Sequence, residues 1–304
     1  AVPHHGGSGG HHRHAGPGRL LRPRFRDDAG RAAADVLPIL KQNRSEYFVF
    51  VGNDPHAVEV MQAMQRPADK IAFGFQSSGG HRDVDKVVSA HVGVGMTIGG
   101  ATAPLSGVFR YRVKTAFEGA KYKLTFVSDM DGWLKCHLAL ILPACYLCYA
   151  CSGDLSKATK EQRDLVLDAA WEACEMLKAA HIPVDDKEST DCYRAGTPGR
   201  RKMDAMVLAL CKTPLGRLCV SDHAMHAVAE MQYLDEAFEG LRTRTSVRMT
   251  AWDTLRSQMP RGTSCGKRRR EQGDKCMEKE ADASLPLFLC GKNLSVCFAD
   301  SSPR

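Results

Sequence analysis

The chain reads as an α/β layer followed by an all-helical domain, and three observations predict that order. Between about residues 35 and 130, short β-rich runs are interleaved with a helix-spaced segment, as strands joined by crossovers would be. After Asp129, apolar residues recur at helical spacing in one stretch after another. At 304 residues, with 43% hydrophobic and 25% charged content, the chain has apolar surface enough for two cores of ordinary size.

Residues 1–33 stand outside that pattern. Gly, His, Arg and Pro follow one another without period, with His4, His5, His11, His12 and His14 set among glycines, so this leader has no face to bury and is expected to be disordered. Residues 34–130 then form the α/β layer. Ala32 to Leu40 looks like the end of a helix, and Tyr47 to Gly52 is a continuous β-rich run closing in the turn sequence Gly52, Asn53, Asp54, Pro55. His56 to Arg66 has helical spacing through Val58, Met61 and Met64, and Lys70 to Phe75 is a second strand. Further β-like runs are expected at Lys86 to Met96, Val108 to Val113 and Lys123 to Val127, with a short helix around Thr115 to Ala120.

Residues 131–256 are predicted to be helical throughout. Thr159 and Gln162 make a capping box that opens a stripe of Leu165, Ala169, Ala173, Met176 and Leu177, ended by Pro183. Arg201 to Lys212 repeats the stripe with Met203, Met206, Val207 and Leu210, and Ser221 to Leu241 repeats it with Ala224, Ala227, Met231, Leu234 and Phe238. Residues 257–304 are expected to be an irregular, basic, Cys-containing tail.

Composition narrows the partners. Lys+Arg 42 against Asp+Glu 35 leaves a formal charge of +7, but the excess sits in two flanks, Arg13 to Arg31 and Lys267 to Arg270, so nucleic acid is not an expected partner. The longest apolar run, Leu138 to Cys151, is interrupted by Pro143 and falls short of the roughly 20 residues a bilayer needs; a buried helix and no membrane partner are expected. The 12 cysteines lie mostly in apolar, helix-like segments and read as reduced thiols of a cytoplasmic protein.

Four segments in order resemble the ketopantoate reductase family. The run Phe48 to Asn53 resembles the strand that ends in the family's substrate-side asparagine, and Ile71 to Phe75 resembles the glycine-containing strand after it. Tyr122 to Asp131 with Trp133, Leu134 and Lys135 is similar to the strand and helix start presenting the catalytic lysine, and Ala229 to Leu234 resembles the helix with the substrate-binding glutamate. The resemblance implies an incomplete Rossmann-like layer with a helical C-terminal domain, NADP(H) as cofactor, and reduction of a 2-keto acid such as 2-dehydropantoate in pantothenate biosynthesis. It also leaves room for a homodimer. Lys135 is then the catalytic residue, with Asn53, Glu230 and His137 binding substrate; His137 stands where the family's next helical turns carry asparagines. A ketone being reduced gathers negative charge on its oxygen, so a cationic proton donor nearby lowers the barrier. By spacing alone Lys135 better suits a lysine whose stem covers apolar surface, and Asn53 equally suits a simple turn residue.

The expected cofactor lacks its usual holder. No strand followed by a G-x-G-x-x-G helix start occurs before Asp35, and Gly93, Gly95 and Gly99 have one residue too many within a β-rich stretch. A truncated or degenerate, non-catalytic relative is therefore the alternative. A metal-binding helical module is the third, from His223, His226 and Glu230 along one helix and Cys145, Cys148 and Cys151 along another.

Overall fold

The computed structural model describes residues 29–77, 80–82, 87–89, 95–184, 192–260 and 294–298. Helix α1 (Ala29–Gln42) leads into β1 (Tyr47–Val51), α2 (Ala57–Met64) and β2 (Ile71–Gln76). Short strands β3 (Gly80–Arg82) and β4 (Val87–Ser89) pair as a hairpin-like ribbon. Strand β5 (Gly95–Gly99), helix α3 (Gly107–Ala116) and β6 (Lys123–Phe126) complete the first region, and β7 (Leu294–Phe298) returns to it from far along the chain.

The sheet has the order β6-β5-β2-β1-β7. Strands β1 and β2 are parallel, with Phe48 opposite Ile71, while β5 runs antiparallel to β2 and β6 follows β5. Side-chain alternation on β1 splits the layer into two cores, because successive residues of a strand point to opposite faces. Phe48 and Phe50 pack with Ile71 and Phe73, the α2 residues Ala57 and Val60, and Met130 and Leu134; Tyr47, Val49 and Val51 pack with Met96, Ile98 and the α3 residues Phe109 and Val113. A one-residue slip of β1 would send Phe48 and Phe50 into the core shaped for Tyr47, Val49 and Val51, so packing would be lost on both faces at once.

Helix α4 (Met130–Ala150) joins the two halves. Its N-cap Asp129 accepts from the Gly132 backbone N–H at 2.9 Å. Met130 and Leu134 belong to the sheet's core, and from Leu138 onward the same helix is the axis of the helical core. Around it lie α5 (Lys160–Ala179), α6 (Pro198–Lys212), α7 (Asp222–His226), α8 (Val228–Arg242) and α9 (Thr250–Arg256). The predicted capping box holds α5: the Gln162 N–H reaches Thr159 Oγ1 at 3.2 Å, and the Thr159 N–H reaches Gln162 Oε1 at 2.9 Å. Buried Trp252 donates to Glu239 at 3.0 Å, and Arg256 grips Asp235 through two bonds of 2.7 and 2.8 Å, which fixes α8 against α9.

Several expectations need correction. Helix α1 begins at Ala29, ahead of the expected boundary at 34, in an Ala-rich stretch of high helix propensity. Val108 to Val113 is helix rather than strand: Ser106 caps it through the Phe109 N–H, and Phe109 and Val113, four apart, face one core. The tail is not irregular throughout, since β7 (Leu294–Phe298) pairs parallel to β1, with Tyr47 opposite Leu294. Pro143 does not interrupt α4, which loses one hydrogen bond there and continues. At 21 residues this helix is long and apolar enough, by length and composition, to cross a bilayer, and 56% of its most apolar window is buried inside the protein. The residues His4, His5, His11, His12 and His14 and the basic run Lys267 to Arg270 lie outside the described residues.

Candidate functional site

Strand β1 delivers Asn53 to the point where its chain leaves the sheet, the usual ligand side of a parallel strand. Asn53 Nδ2 donates to Glu230 Oε1 on α8 at 3.4 Å. Glu230 is only 5% exposed, although a glutamate on a helix is ordinarily solvated. Its other oxygen lies 3.5 Å from His223 Nε2.

Local backbone irregularity makes that pairing. Ser221 to Leu241 is predicted as one regular helix, in which residues seven apart stand two turns from each other. Instead Arg217–Ser221 forms a wide π-helical turn, and the path breaks at Ala227, whose φ and ψ of −112° and 40° are not helical. The helical hydrogen bonds run on across this kink, from the Ala227 N–H to the His223 carbonyl and from the Met231 N–H to the Ala227 carbonyl, and across it His223 reaches Glu230. A π-helical turn of this kind is a common companion of functional sites. Ahead of the π-helical turn, Gly216 lets the chain pass close to the end of α6: a Cβ there would sit 1.8 Å from the Leu210 carbonyl oxygen.

Lys135 lies on α4 where its two cores meet and is 8% exposed. A buried ammonium needs a partner, and Asp131, one turn earlier, supplies it in a close ion pair. Asp131 also raises the pKa of Asp54, secondarily to the burial that chiefly holds that carboxyl above the usual range; the His56 N–H, 2.9 Å from Asp54 Oδ1, acts in the opposite sense. Asn53 and Asp54 at β1's exit thus link two groups: Asp131 and Lys135 on α4, whose Asp131 charge reaches Asp54, and Glu230 and His223 from α7 and α8, joined to Asn53. Three buried acceptors in these groups, Asn53 Oδ1, Asp131 Oδ1 and Glu230 Oε2, receive no hydrogen bond. Buried acceptors normally have donors, so these three describe a place for a ligand's donors or for water.

Lys135 also opens into a cleft of about 420 Å³ between the layers. Pro55, His56 and Glu59 form one wall, and Tyr233, Glu236 and Arg244 form the other. A second cavity of about 460 Å³ lies elsewhere along α4, lined by Trp133, Cys136, His137, Leu140, Cys174 and Tyr193. His137 belongs to this one. Its ring stacks on Trp133 at 5.3 Å and packs on Phe75 at 4.2 Å, and desolvation lowers its pKa to about 4. The structure therefore brings Asn53 and Glu230 together, links Lys135 to Asp54 through Asp131, and leaves His137 apart. Residues two apart on a helix are turned by about 200°, so Lys135 and His137 cannot share a cavity.

Sequence reasoning missed Asp131, His223, Tyr233 and Arg244. The Asp131–Lys135 spacing of four was a readable signal. His223 was noticed only as a metal ligand, and among the described residues no group of three His, Cys, Asp or Glu side chains is placed to hold a metal ion. Cys145 and Cys148 are core residues, and burial raises both thiols, that of Cys148 to about 11, so neither is a ready thiolate.

The described residues do not fit a dinucleotide. The β1–α2 turn holds one glycine, the carboxylate Asp54 caps the helix start where a phosphate would bind, and Pro55 has no N–H to offer. Gly95 and Gly99 are packing glycines: a Cβ would stand 2.6 Å from the Lys123 carbonyl oxygen at the first and 2.7 Å from that of Val127 at the second.

No protein-family model and no curated protein matches this sequence. Among solved structures the chain is similar to D-mandelate dehydrogenase in complex with NADH, with TM-score 0.58 and 10% identity over 76% of this chain and 75% of that one. It is similar in the same degree to 2-dehydropantoate 2-reductase from Geobacter metallireducens GS-15, with TM-score 0.58 and 14% identity over 76% and 73%. The chain shares their fold. A partial Rossmann-like layer followed by a helical domain is thus the architecture, and both neighbours are oxidoreductases by name.

Proposed function

We propose that this chain is a ketopantoate-reductase-like oxidoreductase for a small 2-keto acid; NADPH would supply the hydride, and would have to be held by residues other than the described ones, which do not fit it. The observation that supports it best is the buried Lys135 opening into the inter-layer cleft, together with the three unfilled acceptors of Asn53, Asp131 and Glu230. As the ketone carbon is reduced, charge grows on its oxygen, and Lys135 Nζ donates the proton that neutralises it. Asp131 holds Lys135 in place and keeps its charge compensated until substrate arrives. Asn53 and Glu230, locked together and steadied by His223, accept hydrogen bonds from the substrate's hydroxyl groups. Lys135 and Glu230 are buried, and the lower dielectric around them strengthens these contacts.

A second reading has an observation of its own: the Asp54–Pro55 turn, which cannot cradle a pyrophosphate, favours a relative that has lost catalysis. Calorimetric titration with NADPH and an NADPH-oxidation assay against a panel of 2-keto acids, 2-dehydropantoate included, separate the two. The chain by itself is expected to show NADPH affinity no tighter than about 1 mM, worth about 4 kcal/mol. Joined to a strand, glycine loop and helix ahead of it, the chain is expected to turn over a keto acid. No turnover in the joined form decides for the non-catalytic relative, and a low micromolar dissociation constant for the chain alone would show that nucleotide binding uses other residues.

A further inference from the structure

A keto acid brings a permanent negative charge into the cleft, and the charges already there determine which residue receives it. The cleft's ionisable lining comprises His56, Glu59, Lys135, Tyr233, Glu236 and Arg244. Lys135 is committed to Asp131. His56 Nδ1 lies 3.8 Å from Glu59 Oε1. Arg244 is the remaining cation, and among the described residues no carboxylate stands within ion-pair distance of its guanidinium. It sits just past the end of α8, across the cleft from α2.

A carboxylate entering beside Glu59 and Glu236 is disfavoured unless a cation faces it. A guanidinium offers two parallel N–H donors that match both carboxylate oxygens, whereas an ammonium acts as a point charge. We propose that Arg244 is a specificity-determining residue that binds the substrate's carboxylate, leaving the keto oxygen to Lys135. The two residues stand on different elements, so a ligand held by both is fixed at both ends and presents its carbonyl in one orientation. Glu59 and Glu236 then select against a second carboxylate, and the substrate class narrows to monocarboxylic 2-keto acids. The inference rests on the reading of this cleft as a keto acid site.

The test uses the full chain without cofactor, with 2-oxo-3-methylbutanoate and its uncharged amide as probes, followed by ligand-observed NMR. Arg244→Gln is expected to weaken acid binding by roughly thirtyfold while changing amide binding less than about twofold, with Arg244→Lys in between. The dicarboxylate 2-oxoglutarate is expected to bind more weakly than the monocarboxylate. Equal acid affinity in wild type and Arg244→Gln, an equal loss for acid and amide, or no acid binding by the wild type overturns the assignment. Failure of the proposed reduction reads differently: Arg244-dependent acid binding persists while the chain joined to a glycine-loop unit oxidises no NADPH, and that outcome leaves the role of Arg244 supported.

Discussion

Lys135 and His137 stand two residues apart on one helix and face two different cavities. The cleft at Lys135 is rimmed by charge, with His56, Glu59, Glu236 and Arg244, and it lies between the layers. The cavity at His137 is lined by rings and thiols, among them Trp133, Cys136, Cys174 and Tyr193. Burial acts on both residues, with opposite results. Lys135 has Asp131 one turn away and keeps a compensated charge; His137 has only rings beside it, and its imidazole is neutral down to a pH of about 4. The difference teaches that a polar residue on a buried helix becomes chemically useful through its partner, not through its burial.

The strongest way to break this comparison is to remove Lys135. In the chain joined to a glycine-loop unit, Lys135→Ala is expected to lower kcat by roughly a hundredfold or more, whereas His137→Phe leaves kcat within about threefold. Steady-state kinetics on both variants decides it, and equal losses would place the chemistry in both cavities or in neither.

The next effect is on stability. The folded state holds the His137 pKa at about 4, below its ordinary value of 6.5, so between those two pH values the unfolded chain binds the extra proton. The contribution of His137 is therefore fully present above pH ~6.5 and is lost as pH falls toward ~4, by about 2 kcal/mol after allowing for the ring's partial access to solvent. His137→Phe is expected to flatten that part of the stability–pH curve. Urea midpoints measured from pH 4 to 7 test this, and an unchanged slope would mean the ring is protonated where it stands.

The smallest effect concerns Glu230. Glu230→Gln retains an acceptor for Asn53 but surrenders the charge beside His223, so KM for the keto acid is expected to rise roughly tenfold with kcat little changed. A fall in kcat with constant KM would move Glu230 from binding into the chemical step.

The layered architecture was legible because hydrophobic periodicity reports burial directly. The all-buried β1, the capped α5 and the run of helices after Asp129 follow from it. The four resemblances also placed Asn53, Lys135 and Glu230 in order, and the fold brings the first and last into contact while Lys135 is linked to Asp54, next to Asn53, through Asp131. The α3 segment was misread because Val, Phe and Tyr favour strands, and its outcome depended on the Ser106 cap and on which core was available. Strand β7 was missed because pairing across more than 240 residues has no local signature, and loop closure grows only slowly more costly with length.

The sequence by itself determined the layer order, most of the elements and the residue types available to the site. Only the tertiary structure decided which side chains meet. The kink at Ala227 between His223 and Glu230, the turn of α4 that separates Lys135 from His137, and the cleft in which, among the described residues, Arg244 has no carboxylate at ion-pair distance all depend on backbone paths and packing between distant segments. Periodicity records how often a chain turns inward; it does not record what waits there.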